Sequence, residues 1–142
     1  MKVIIASDHG GFNLKGTVVA ALKDRGVEIT DFGPDSADSV DYPDYARPVA
    51  EKVASGEFDR GILVCGTGIG MSISANKVKG IRCALVHDTF SARATRAHNN
   101  SNMLAMGERV IGPGLAQDIV DIWLETDYEG GRHEQRVCKI EE

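Results

Sequence analysis

The chain has 142 residues, 42% of them apolar and 26% charged, with a formal net charge of −5. That is the size and make-up of one ordinary globular domain, residues 1–142, with a substantial core. The acidic balance argues against a general nucleic-acid surface, which needs clustered Lys and Arg, and no apolar run reaches the ~18–20 residues of a membrane span.

The N-terminal stretch MKVIIASDHGG carries a short apolar run, Lys2 to Ser7, stopped by Asp8 and His9. It reads as a strand and not as the longer apolar core of a signal peptide. Leu14, Val18 and Leu22 then recur every four residues, with Lys15, Lys23, Asp24 and Arg25 available to water. This predicts a helix that stops near Gly26. VEITDF (27–32) is a second strand, and Tyr45, Val49 and Val53 mark a helix ending before Ser55-Gly56. RGILVC (60–65) is a third strand and runs straight into the glycine-rich turn Gly66–Gly70. RCALVH (82–87) and a weaker NMLAM (102–106) are the fourth and fifth, and Leu115, Ile119, Ile122 and Trp123 form a helix after Pro113-Gly114.

Continuous rather than alternating hydrophobicity marks strands covered on both faces. The β-α alternation therefore predicts a three-layer α/β/α sandwich around a five-stranded parallel sheet, Rossmann- or flavodoxin-like. Ligands of such sheets bind beyond the carboxyl ends of the strands, where the strand order reverses. In the flavodoxin-like order that place lies between the first and third strands, so Asp8, His9, Cys65 and the Gly66–Gly70 loop share one crevice.

Cys65, Cys83 and Cys138 make an odd count without paired spacing, which suggests neither a disulfide framework nor a zinc knuckle and favours a cytoplasmic enzyme. Cys83 lies inside an apolar run and reads as core filler; Cys138 has no evident chemical partner. Cys65 is either a small core hydrophobe or, at the head of a helix, a thiolate nucleophile or base. The loop CGTGIG is a tight turn, or a place where a ligand approaches the backbone and helix amides. A dinucleotide fingerprint needs glycine at 71 and meets Met71, although Asp88 stands near the spacing of a ribose-binding acid. His98 and Asn99, just before the fifth strand, are surface residues or reach the carboxyl edge. Arg132 and Arg136, four apart, share one face if helical and could clamp a phosphate; Arg109 is a third cation near the same edge.

Taken together, SDHGG, SVDYPDYA, CGTGIGMSISANKVKGIR, HNNSNMLAMGERV and EGGRHEQRV resemble, over essentially the whole chain, the ribose-5-phosphate isomerase B family. The resemblance implies a cofactor-independent aldose–ketose isomerase that needs no metal and acts on a small sugar phosphate. Ribose 5-phosphate and ribulose 5-phosphate are the expected pair. It implies that Cys65 is the base, that His98 is the ring-opening acid and that Thr67 assists ring opening. Asp8 and His9 would contact the sugar phosphate, with Gly66, Thr67, Gly68, Ile69 and Gly70 holding it through backbone amides. Asn99 would bind a hydroxyl, and Arg109, Arg132 and Arg136 the phosphate. Family members that use a glutamate base carry it further along the loop, where this chain has Gly70 and Met71, so the cysteine version is implied. A homodimer with shared active sites is implied too, tetramers being known in the family. The alternatives are a hexose 6-phosphate isomerase (allose or galactose 6-phosphate) and, in another class, a non-catalytic nucleotide- or flavin-binding module.

The chemistry accounts for the same residue set. A closed sugar ring opens when a proton reaches the ring oxygen, and histidine exchanges protons near neutral pH. Removing the C2 proton then leaves an enediolate, whose charge the loop amides would stabilise; one such donor typically contributes ~2.7–4 kcal/mol.

Overall fold

In the computed structural model, which describes residues 1–142, five parallel strands form one sheet in the order β2-β1-β3-β5-β4. The strands are β1 Lys2–Ser7, β2 Glu28–Gly33, β3 Arg60–Cys65, β4 Cys83–Leu85 and β5 Met103–Gly107. The helices are α1 Phe12–Asp24, α2 Pro43–Ala54, α3 Ile69–Asn76, α4 Thr89–Asn99, α5 Pro113–Glu125 and α6 Arg132–Glu141. No helix is long and apolar enough to cross a membrane.

The three central strands are apolar on both faces, and each face packs its own core. On one side Ile5, Ile62, Val64 and Leu104 meet α1, α4 and α5 through Leu14, Val18, Ala92, Ile119 and Trp123. On the other, Ile4, Leu63, Met103 and Ala105 meet α2 and α3 through Val49, Val53, Met71 and Ala75. Burial on both sides is what the unbroken apolar runs predict.

The order reverses between β1 and β3, as the flavodoxin-like expectation has it, but the last two strands are exchanged. β5 lies between β3 and β4, with Cys65 opposite Gly107. The short β4 takes the edge, where only one side of a strand needs a partner. The exchange brings the residues following β5 directly beside the glycine loop.

Lys15 departs from its expected place at the surface. Its side chain is 2% exposed, and Nζ lies 2.9 Å from Asp31 Oδ1 and 2.7 Å from the Pro34 carbonyl. The aliphatic stem fills space between α1 and β2, while two acceptors satisfy the ammonium, the condition for burying a lysine.

Candidate active site

β1 ends at Ser7, and the Asp8 N–H donates to the Val64 carbonyl at 3.2 Å, which ties the following turn to β3. Asp8 Oδ1 accepts from the Gly10 and Gly11 amides at 2.8 and 3.2 Å, capping the turn. Through that oxygen the carboxylate is committed to shaping the crevice. His9 is exposed, and its Nδ1 accepts the Val40 N–H at 3.2 Å, so Nε2 carries the ring proton and can donate to a ligand. A methyl group placed on Gly10 would lie 3.1 Å from the Gly66 amide nitrogen. The Asp8–Gly11 turn and the glycine loop are thus in direct contact at the carboxyl ends of β1 and β3.

Cys65 closes β3 with only 5% of its surface exposed. Its Sγ accepts the Gly68 N–H at 3.0 Å. Gly68 caps α3 at φ 78°, a left-handed conformation that side chains rarely adopt and that turns its amide back toward the sulfur. Thr67 is exposed, and its Oγ1 accepts the Ile69 N–H at 3.3 Å. Gly70 and Met71 follow in the first turn of α3, where amides have no intrahelical partner.

The segment after β5 clamps this loop. Glu108 N–H donates to the Cys65 carbonyl at 2.9 Å and Arg109 N–H to the Gly66 carbonyl at 3.0 Å. A methyl on Gly66 would stand 3.5 Å from Arg109 Cδ and Nε, so the arginine side chain passes over the loop.

Three supporting residues are missed by motif reasoning. Tyr42 lays its ring against Gly70, where a methyl would come within 2.5 Å of it. Glu108 Oε1 accepts the Leu14 N–H at 2.6 Å, capping α1 from a distant part of the chain. His87 Nε2 accepts the Gly107 N–H at 2.9 Å, and burial lowers its pKa against the opposing pull of Asp88, which keeps the acceptor nitrogen unprotonated. Tyr42 lies within a quoted motif, but the partners of the other two are set by strand order alone.

His98 and Asn99 do not reach this crevice within the chain, which corrects the expectation from their place before β5. Residues that precede a parallel strand lie at its amino end, and α4 runs about 16 Å back to that end. There the Asn99 carbonyl accepts from Arg82 Nε at 3.0 Å, at the start of β4. Arg132 and Arg136 are in fact helical, one turn apart and exposed on α6, but α6 packs on α4 and not beside Arg109. The His98 and His133 rings stack at 4.3 Å with 14° between planes. Glu129 faces both, its oxygens 3.9 Å from His98 Nε2 and 3.6 Å from His133 Nε2. Glu129 and His133 are further residues absent from the motif-based set.

Neither remaining cysteine joins either group. Burial pushes the Cys83 thiol up to about 12, consistent with its place as core filler. Cys138 is exposed on α6, its thiol also raised, chiefly by desolvation and then by Glu134.

The sequence matches the model of the family described as Ribose/Galactose Isomerase over residues 3–140. It is 54% identical to the ribose-5-phosphate isomerase B of Escherichia coli strain K12 over 98% of this chain and 93% of that protein. The fold superposes on a Clostridium thermocellum ribose-5-phosphate isomerase B with a TM-score of 0.98, at 57% identity, over 99% and 95% of the two chains. A Mycoplasma genitalium ribose-5-phosphate isomerase B, solved with bound ribulose-5-phosphate, gives 0.95 at 42% identity over 99% and 93%. With the family model matched over residues 3–140 and the fold shared over essentially the whole length, the chain belongs to the ribose/galactose isomerase family.

Proposed function

We propose that residues 1–142 act as one domain that interconverts ribose 5-phosphate and ribulose 5-phosphate, through ring opening and a cis-enediolate. The observation that carries this reading is the Cys65 sulfur, held by the Gly68 amide at 3.0 Å in the crevice of Asp8 and His9. Cys65 takes the C2 proton and returns it to C1. As charge develops on oxygen, the unpaired amides at the head of α3 stabilise it, a role worth ~2.7–4 kcal/mol per donor. Arg109, and His9 through Nε2, face the anionic end of the substrate.

Ring opening needs His98, and the phosphate clamp needs Arg132 and Arg136, which all sit at the opposite end of the fold. A second copy of the chain supplies them, so each site is shared in a homodimer. Ile69 and Ile73, one turn apart on α3, are 49% and 58% exposed, and Leu85 on the adjoining β4 is 41% exposed. So much exposed apolar surface beside the crevice suits burial against a partner. Hexose 6-phosphates are the second substrate class, favoured by the family's own description, which pairs galactose with ribose. Comparing turnover of pentose 5-phosphates and hexose 6-phosphates decides between them.

Subunit mixing tests the shared site. Cys65→Ser and His98→Asn chains are each expected to be nearly inactive on ring-closed ribose 5-phosphate. Refolded together at equal amounts, they regain about one quarter of wild-type activity, because half the dimers are mixed and one of their two sites is intact. A mixture no more active than its parents would place both residues of a site in the same chain.

A further inference from the structure

The group at the end of α4 holds three potential ligands drawn from three segments. His98 lies in the last turn of α4, Glu129 in the connection after α5, and His133 in the first turn of α6. Their ligating atoms all lie within 4.8 Å of one another. The backbone fixes this convergence: the Glu129 N–H donates to the Ala97 carbonyl at 3.0 Å, and the His133 N–H to the Gly130 carbonyl at 3.0 Å. Between them Gly130 and Gly131 adopt φ of 63° and 57°, which folds Glu129 back over His133.

At 3.9 and 3.6 Å the Glu129 oxygens are too far from the imidazole nitrogens for hydrogen bonds. Three strong donor atoms therefore face one another without bonding. Around a tetrahedral zinc-class ion with bonds of about 2.0–2.2 Å, ligand atoms stand roughly 3.3–3.5 Å apart, so ligand atoms already within 4.8 Å of one another come into range through side-chain rotation. The parallel stacking of the two rings sets their lone pairs side by side; a turn of the His98 ring about χ2, a broad torsion, aims it at the same point. His98 is 45% exposed at its side chain and can turn, whereas His133, at 9%, stays fixed. Two imidazoles and a carboxylate with water in the fourth position are a familiar zinc ligand set.

We propose that His98, Glu129 and His133 form a binding site for a zinc-class divalent cation, and that its occupation inhibits the enzyme. Inhibition follows because the ion takes His98 Nε2 away from proton transfer. That consequence rests on the ring-opening role proposed above; the binding site itself does not.

The test titrates the full-length protein with Co²⁺ while recording both visible absorption and isomerase activity. One Co²⁺ per chain is expected, with ligand-field bands but no intense thiolate charge-transfer band. Glu129→Gln and His133→Asn should each weaken binding about 100-fold or more, beyond the roughly 10–100-fold that an outer-shell partner is worth. The exposed Glu129→Gln should keep basal activity, and its Co²⁺ inhibition should shift by the same factor as binding. Equal affinity in wild type and both variants, or a thiolate band pointing to a cysteine, overturns the site. Stoichiometric binding that both substitutions abolish, but that leaves isomerisation untouched, upholds the site and overturns the ring-opening role of His98.

Discussion

At the carboxyl ends of β1 and β3, backbone packs on backbone. Asp8 is tied to Val64, Glu108 to Cys65 and Arg109 to Gly66 by main-chain bonds, and Gly68 turns its amide onto a sulfur. At the far end of α4 the candidate groups are instead side chains on helix surfaces: His98 at 45% exposure and the guanidinium groups of Arg132 and Arg136. The first arrangement fixes its atoms by main-chain geometry, as the proposed transfer of a proton between adjacent carbons would require. The second can adjust to a ligand or to a partner chain. Precision resides in the crevice and adaptability in the helical cluster, so substitutions in the two should differ in kind as well as in size.

The largest effect is expected at the crevice's one ionisable sulfur. Cys65→Ser keeps a hydrogen-bonding group opposite the Gly68 amide, so folding should be preserved by circular dichroism and thermal melting. A serine hydroxyl is too weak an acid to ionise near neutral pH and so supplies no base for the C2 proton, and kcat should fall about 10²–10⁴-fold, the usual worth of a positioned acid or base. Wild-type turnover in this variant would remove Cys65 from the chemistry.

Next in size is a lesion that touches no substrate. A methyl group at Gly107 would sit 2.6 Å from the Thr67 carbonyl carbon and 2.8 Å from its oxygen. Gly107→Ala must therefore push the loop away from β5, at a cost of about 1–3 kcal/mol in stability. Because misplacement by about an ångström can cost 10²-fold in rate, kcat should fall by about that factor with KM less affected. A variant with native melting temperature and native kcat would show that the loop is not held from below.

In the helical cluster the expected loss has another form. Arg136→Ala removes one charge-assisted contact to phosphate, typically worth about 1.5–3 kcal/mol. KM for the sugar phosphate should rise about tenfold or more while kcat changes little. An equal fall in kcat would mean that the cluster is as rigidly coupled to the chemistry as the crevice.

The two regions were also unequally legible in the sequence. The crevice could be placed because continuous apolar runs marked β1 and β3, and because glycines announce close backbone approach wherever they cluster. The exchange of β4 and β5 left no mark, since apolar runs do not encode neighbours; Glu108, His87 and the grip of Arg109 over Gly66 were hidden with it. α4 escaped periodicity because its buried face is Ala92, Thr95, Arg96 and Ala97, small or polar groups that make no stripe. Arg96 Nη1 donates there to Asn100 Oδ1 and the Ser101 carbonyl, as Lys15 Nζ does to Asp31. Motif resemblance assigned His98, Arg132 and Arg136 to one site with Cys65 without revealing that a single chain holds them at the other end of the fold.

The smallest expected effect concerns the helix that joins the two regions. α4 begins beside the crevice at Asp88, whose Oδ1 accepts the Ser91 N–H at 2.6 Å and whose Oδ2 accepts the Ser91 hydroxyl at 2.9 Å. The backbone bond from Ser91, then its hydroxyl, holds the Asp88 carboxyl below its usual range. A depressed folded pKa stabilises the protein at pH above the unfolded value of about 3.9, and that stabilisation disappears as pH falls through the folded value. Asp88→Ala should thus lower the melting temperature modestly at neutral pH, and the gap from wild type should close in acid. Since fraying at the start of α4 leaves its last turn in place, subunit mixing should still restore activity with this variant. A gap that widens in acid would mean that Asp88 is not capping as an anion, and lost complementation would mean that the two regions are coupled along the helix.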